Sequence, residues 1–275
     1  MKHWLLITDL DGTLLDGTYP QREAALAIDS VARAYPEVSV VLASSKTLRE
    51  MVRIGALCDS DPFLLFENGV GCAWRESRLC GSGDQQLAGF EVRCSGIGYT
   101  DLRAQLEDLR TRGGYRFRGF ADMTSSEVAE RTGLDLAGAE AARDRLASEP
   151  ICWEDDKAAL GRFAEELAAA GLRLDRGGRF HIVTSGHGKQ KAVRDLIRRI
   201  RYQTGQRFAT LACGDAPNDL DMLVHADRAL VFPRATGDYL LPKGANVWHA
   251  PKAGPATWLA CVSRVFESHL LEVPA

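Results

Sequence analysis

The chain has 275 residues, of which 45% are hydrophobic and 26% charged, a composition of folded domains rather than of disordered, collagenous or disulfide-scaffold chains. Thirty-four Lys and Arg stand against thirty-seven Asp and Glu, a net charge of −3, so nothing favours nucleic acid as a bulk electrostatic partner. No apolar run reaches the roughly 18 residues of a membrane span, and Asp9 and Asp11 interrupt the short apolar start too early for a secretory signal.

Trp4–Thr8 reads as a buried strand, Gln21–Ala34 as a helix with Pro20 in its first turn, and Val38–Ala43 as a second strand. Thr47–Leu57 follows as a helix with Ser44 and Ser45 as candidate caps, then Pro62–Phe66 as a third strand. This β-α-β-α-β order implies a parallel sheet with helices on its faces. Asn68–Cys80 reads as a hairpin and Gly81-Ser82-Gly83-Asp84 as a linker. Helical patterns at Tyr99–Arg112, Thr124–Thr132, Asp135–Leu146 and Lys157–Ala170 then alternate with short apolar runs at Arg116–Phe117, Ile151–Trp153 and Phe180–Thr184. From Lys189 the first rhythm returns: a helix to Arg201, a strand over Phe208–Cys213, a helix over Asn218–Val224, a strand over Ala229–Phe232 and a final helix over Pro255–Ser268. The expected architecture is one α/β domain made from both ends of the chain (1–83 and 187–275), interrupted by an α+β domain over 84–186. The seven cysteines are scattered without a Cys-x-x-Cys pair, which fits a reducing compartment and predicts a cytoplasmic protein.

Two acidic clusters fall directly after strands, Asp9-Leu10-Asp11-Gly12-Thr13 and Gly214-Asp215-Ala216-Pro217-Asn218-Asp219. Asp and Gly after a strand also form ordinary turns. Two such clusters at matching strand ends, however, predict a shared site, because open parallel sheets bind ligands at their carboxyl ends. Asp9, Asp11, Asp215 and Asp219 would then converge, and carboxylates brought together need a cation. Hard oxygen donors of this kind suit Mg²⁺.

In order along the chain, Asp9-x-Asp11-Gly12-Thr13, Ser44 after Val40–Ala43, Lys189-x-x-Ala192 at a helix start and Gly214-Asp215-x-x-Asn218-Asp219 resemble the motifs of the haloacid dehalogenase-like (HAD) phosphatases. The resemblance implies a Rossmann-like parallel-sheet core and Mg²⁺ as cofactor. It implies Asp9 as the nucleophile that becomes an aspartyl-phosphate, and Asp11 as general acid and then base. Asp9, the Asp11 carbonyl and Asp215 would ligate the metal, with Asp219 ordering its water or its surroundings. Lys189 and Ser44 would face the phosphoryl oxygens. Gln190 departs from the family, which more often has glycine there, and Lys191 is a rival for the basic role. The insertion between Ser44 and Lys189 matches the position of the large α+β cap of the sugar-phosphate branch.

Further matches lie at Ser44-Ser45-Lys46-Thr47, Phe66-Glu67-Asn68-Gly69, Arg118–Met123, Arg145 with Ser148-Glu149-Pro150, and Gly177-Gly178-Arg179-Phe180. These resemble the mannosyl-3-phosphoglycerate phosphatase group of that family. That resemblance implies a small phosphorylated sugar-glycerate substrate. Its candidate contacts are Ser45, Lys46, Glu67, Asn68, Asp122, Arg145, Arg179 and Asn218, with the arginines toward a carboxylate and Glu67 and Asp122 toward sugar hydroxyls. Residues 84–186 hold fourteen basic and eighteen acidic side chains, so selectivity would come from a few placed arginines. A phosphatase of another sugar phosphate, a phosphomutase and a non-catalytic sugar-phosphate sensor share parts of this pattern, and no oligomeric state follows from it. Glu154-Asp155-Asp156 reads as the acidic start of a helix, the tryptophans as core, and Arg194, Arg198, Arg199 and Arg201 as one solvated helix face.

Overall fold

A computed structural model of the chain describes residues 3–17, 21–79, 83–177, 179–243 and 246–271. Both faces of the first strand, β1 (His3–Thr8), are apolar, and helices cover both. Residues of opposite parity point to opposite faces. Leu6 joins one core with α1 (Gln21–Ala34), β2 (Val38–Ala43) and α2 (Leu48–Gly55). Leu5 and Ile7 join the other, which includes Phe63 and Leu65 of β3 (Phe63–Phe66).

The chain continues through β4 (Gly71–Trp74), β5 (Gln85–Leu87) and β6 (Phe90–Cys94). It then leaves this sheet for α3 (Tyr99–Gly113), β7 (Phe117–Gly119), α4 (Ser125–Thr132) and α5 (Leu136–Arg143). Next come β8 (Ser148–Trp153), α6 (Lys157–Ala169), β9 (Arg173–Arg176) and β10 (His181–Thr184). It returns with α7 (Lys189–Thr204), β11 (Phe208–Gly214), α8 (Leu220–His225), β12 (Arg228–Val231), β13 (Asn246–His249) and α9 (Pro255–Leu271).

The main sheet has nine strands in the order β13-β12-β11-β1-β2-β3-β4-β6-β5. It is parallel from β13 to β3 and antiparallel beyond. Helices α1, α2 and α9 contribute to one core, with Ile28, Met51 and Trp258, while α7 and α8 contribute Val193, Leu196 and Met222 to the other. A second, antiparallel sheet has the order β7-β8-β10-β9. Phe117, Ile151 and Val183 of that sheet pack with Leu106 of α3 and Phe163 of α6. Phe120, Val128, Ala139 and Ala142 form a smaller core with α4 and α5. Among the described residues no helix is long and apolar enough to cross a membrane, and the six described cysteines are free thiols.

Five expectations need correction. The segment from Gln85 to Cys94, read as the opening of the inserted domain, instead extends the main sheet beside β4. Gly83 is small for packing rather than for flexibility, since a Cβ there would lie 2.3 Å from the Val92 carbonyl oxygen; residues 81 and 82 lie outside the described ones. The α2 cap is Thr47 in a reciprocal box with Glu50, not Ser44 or Ser45. Asn218 lies in a 3₁₀ turn (Pro217–Asp219) that precedes α8. Finally, β9 and β13 carry no apolar run: Arg173-Leu174-Asp175-Arg176 is half-exposed and is strand through its pairing with β10. Pro20 also lies outside the described residues.

Candidate active site

Parallel pairing of β1 between β11 and β2 aligns Thr8 with Cys213 and with Leu42. All three strands therefore end at one edge, and Asp9, Asp215 and Ser44 emerge together there. Asp9 continues the ladder, donating its N–H to the Cys213 carbonyl at 2.9 Å. Its own carbonyl accepts from the Thr8 hydroxyl, which the buried Trp258 indole in turn steadies at 2.9 Å. Gly12 sits at φ 86° in the turn beyond, and a Cβ on it would lie 2.5 Å from Asp215 Oδ2. Only glycine accommodates both that conformation and that approach.

Lys189, the first residue of α7, is 2% exposed. Its ammonium donates to Asp9 Oδ1 and to Asp219 Oδ1, the latter at 2.6 Å. Asp219 is fully buried, and its second oxygen accepts the Asp215 and Ala216 N–H groups at 3.2 and 3.0 Å. The Thr13 hydroxyl donates to Asp215 Oδ1 at 3.0 Å. Oxygens of Asp9, Asp215 and Asp219 all lie within 4.8 Å of one another. Three carboxylates thus face one buried ammonium. Burial, opposed by Lys189 and reinforced by Asp219 and Asp215, pushes the Asp9 carboxyl well above its ordinary range. Burial and then Asp219 push Asp215 up to about 7. Burial works against the charged Lys189, and Asp219 and Asp9 outweigh it, so the lysine stays ionised. A cluster of hard oxygens with surplus negative charge fits a divalent cation.

Asp11 does not join this cluster. Its side chain is 60% exposed and pairs with Lys46 at 2.7 Å. Burial disfavours the Lys46 charge, but the Asp11, Glu50 and Asp9 carboxylates outweigh it and raise the lysine above its ordinary value. Three carboxylates converge, then, rather than the four expected. Ser44 is buried beside them, its N–H donating to the Leu65 carbonyl and its hydroxyl accepting the Lys46 N–H at 3.3 Å. Asn68 holds φ 55° and accepts from Asn218 Nδ2 at 3.0 Å, tying the turn after β3 to the turn after β11. Asn68 Nδ2 and Asn218 Oδ1 stay buried without a partner among the described residues, which leaves one donor and one acceptor at this junction.

The remaining expected substrate contacts have other partners. Glu67 is fully buried; one oxygen accepts the Leu146 N–H at 2.8 Å and the other the Ala147 N–H and Ser148 hydroxyl at 3.1 and 2.7 Å. It fastens the main sheet to the chain entering β8 and has no oxygen left for a sugar. Arg145 makes the return link, donating to the Ser45 carbonyl at 2.9 Å and to Ser148 Oγ at 3.2 Å. Asp122 is held by the Gly119 N–H and by Arg110 and Arg103, which outweigh its burial and keep it below the usual carboxylate range. Arg179 donates to the Thr132 carbonyl at the end of α4, 2.6 Å away, as basic side chains at helix C-termini do. Sequence reasoning gave no role to Thr13, whose position inside the first acidic motif was the available signal. It also gave none to Thr47, whose hydroxyl donates to the Ala141 carbonyl across the two sheets' helices.

No family model matched the chain. A glucosyl-3-phosphoglycerate/mannosyl-3-phosphoglycerate phosphatase from Methanococcoides burtonii is 32% identical over 265 residues, covering 94% of this chain and 95% of that protein. Among solved structures, a haloacid dehalogenase-like hydrolase from Bacteroides thetaiotaomicron superposes with a TM-score of 0.65 at 16% identity, covering 96% of this chain and 100% of the other. Sucrose-phosphatase from Synechocystis sp. PCC6803, solved with sucrose and phosphate, gives 0.55 at 12% identity over 96% and 98% of the two chains. At those identities the two structures share the fold. With the first relative aligned along nearly all of both chains, this chain has the haloacid dehalogenase-like fold, belongs to the glucosyl-3-phosphoglycerate/mannosyl-3-phosphoglycerate phosphatase family and is a phosphoric monoester hydrolase.

Proposed function

We propose that the chain is a Mg²⁺-dependent phosphatase that hydrolyses mannosyl-3-phosphoglycerate, and its glucosyl counterpart, to the glycosylglycerate and phosphate. The observation that carries the chemistry is the buried Asp9 carboxylate between Lys189 and the Asp215–Asp219 turn. The substrate class comes from the relative at 32% identity, whose name gives both epimers.

Asp9 Oδ1 is bound by Lys189, which leaves Oδ2 to attack phosphorus. Attack forms an aspartyl-phosphate and expels the sugar-glycerate alkoxide. Asp11 gives that alkoxide a proton and then takes one from the water that cleaves the acyl phosphate. Lys46 holds the Asp11 carboxylate at 2.7 Å, beside the Asp9 turn. An anionic ester that drew Lys46 to itself would free Asp11, which would take a proton from solvent and pass it to the departing alkoxide. Asp9, the Asp11 carbonyl and Asp215 would hold Mg²⁺, with Asp219 fixing the turn that carries Asp215; bound there, the ion would offset the carboxylate charge and polarise a phosphoryl oxygen. Lys189 keeps the nucleophile oriented, and Ser44 lies beside it to receive the phosphoryl group. The unpartnered amide atoms of Asn68 and Asn218 offer a donor and an acceptor at the same edge. The second sheet with α3 to α6 serves as the cap that excludes water, and the protein acts on a soluble metabolite in the cytoplasm.

Phosphate release from mannosyl- and glucosyl-3-phosphoglycerate, 3-phosphoglycerate and mannose 6-phosphate, with Mg²⁺ and with chelator, tests this reading. Mg²⁺-dependent preference for the glycosylphosphoglycerates supports it. Preference for a simple hexose phosphate removes the substrate, and no release from any ester removes the reaction.

A further inference from the structure

Between α7 and strands β4 and β6 lies a groove of about 420 Å³, within the size range of small-molecule sites. Its rim carries Arg93, Lys191, Arg198 and Arg199 against a single carboxylate, Asp195. Asp195 already pairs with Lys191 at 2.8 Å and faces Arg198 at 3.6 Å. Arg93 has only the exposed Asp84, 3.8 Å away. Arg199 was expected on a solvated helix face. It lies instead 4.4 Å over the Trp74 ring, with its Nε buried and without a partner among the described residues. Burial and then the Arg93 charge hold this guanidinium below its usual range. Two cations thus face one groove, and the carboxylate that acts on both, Asp84, is itself exposed.

The other walls are mostly apolar, interrupted by Ser95 and His187. Cys72 and Cys94 line the strand side, and burial holds their thiols up to about 12 and about 11, so they are neutral wall rather than nucleophiles. Tyr202, 91% exposed, stands at one end as an uncovered aromatic ring. We propose that this groove binds a small organic anion, with its charged group between Arg93 and Arg199 and its apolar body against Leu196 and Tyr202.

The groove borders the acid cluster through both of its walls. Helix α7 opens with Lys189 and packs on the Glu67–Gly69 turn that carries Asn68. An occupant wedged between them bears on the position of Lys189, so the groove is an effector site. That consequence rests on the phosphatase reading; binding itself does not.

The test is titration of the full chain with 8-anilinonaphthalene-1-sulfonate, a sulfonate on an aromatic body, followed by its fluorescence in chelator and in Mg²⁺ with inorganic phosphate. The expected result is saturable binding that phosphate and Mg²⁺ do not displace, weakened at least tenfold by Arg199→Ala and by Arg93→Ser. Ala192→Phe, which fills the helix-side wall, should abolish it. Far-ultraviolet circular dichroism confirms that each variant is folded, and Arg93→Ser, on an exposed strand position, covers the case in which Arg199→Ala is not. Equal affinity in the folded variants overturns the proposal, as does full displacement by phosphate with Mg²⁺. Failure of the phosphatase assay leaves this binding result standing, so the two readings fail separately.

Discussion

Replacing Glu67 by glutamine tests the link between the two sheets. The carboxylate accepts three hydrogen bonds, from Leu146 N–H, Ala147 N–H and the Ser148 hydroxyl, and is fully buried. Glutamine retains one acceptor oxygen. If that oxygen faces Ala147 and Ser148, its NH₂ group meets the Leu146 N–H, donor against donor. One charge-assisted hydrogen bond is lost and a buried donor is left unpaired, which costs about 2–3 kcal/mol. The Arg145 links to Ser45 and Ser148 remain, so the loss should be local rather than global. The assay is native-state hydrogen exchange of the peptide spanning residues 145–148. At about 1.4 kcal/mol per factor of ten, exchange there should accelerate roughly 30- to 150-fold. A peptide from β1 and β2 should keep its protection, because those strands have no contact with this carboxylate. Unchanged exchange at residues 145–148 would refute the reasoning, since the three hydrogen bonds would then contribute nothing to holding the sheets together.

Asp9→Asn should lower phosphate release at least about a thousandfold while leaving the circular dichroism spectrum intact; a variant with wild-type turnover would exclude Asp9 as nucleophile. In chelator, Lys189→Met should destabilise the protein by about 3 kcal/mol, the scale for breaking a buried ion cluster, and added Mg²⁺ should restore part of it; a denaturation midpoint equal to wild type would contradict the cluster's charge balance. Asp215 ionises at about 7 in the folded chain against an ordinary 3.8, so the folded state binds its proton more tightly than the unfolded one. Stability in chelator should therefore be highest below pH 4 for this group and decline as pH rises to 7, with Mg²⁺ raising the unfolding temperature more at pH 7.5 than at pH 5. Lys46→Met removes the Asp11 partner and should raise KM for the anionic ester by about tenfold, the weight of one charge-assisted contact; an unchanged KM would place Lys46 outside substrate recognition.

The acid cluster was legible because sequence motifs and parallel topology coincide. Asp9 and Asp215 each follow a run of buried residues, and runs of that kind announce strands buried on both faces. Lys189 was legible from its place at a helix start in an ordered set of motifs. The cap contacts were not, because residue type does not reveal partner. Glu67 and Asp122 are acids in matching local motifs, yet one binds backbone amides across the two sheets and the other binds Arg103 and Arg110 of its own domain. Arg199 was misread for a related reason: helical spacing placed it with exposed arginines, and only the depth of Trp74 beneath it turns it inward. The boundary near Gly81–Asp84 was misplaced because glycine marks close approach as often as flexibility, and at Gly83 it marks the former.

The pairing of β1 with β11 sets the order in which the protein can form. His3 lies opposite Phe208, so the central parallel pair joins the first strand to one made after two-thirds of the chain. During synthesis the four strands β7 to β10 and their helices, contiguous between residues 99 and 184, are complete while β1 has β2 on one side and still lacks β11 on the other. Local contacts close quickly and distant ones slowly. The nascent chain therefore carries a finished cap on an open sheet edge, and that edge is its aggregation-exposed surface until β11 emerges. The turn that carries Asp215 and Asp219 follows β11 directly, so Asp9 gains those two partners only through the pairing of β11 with β1.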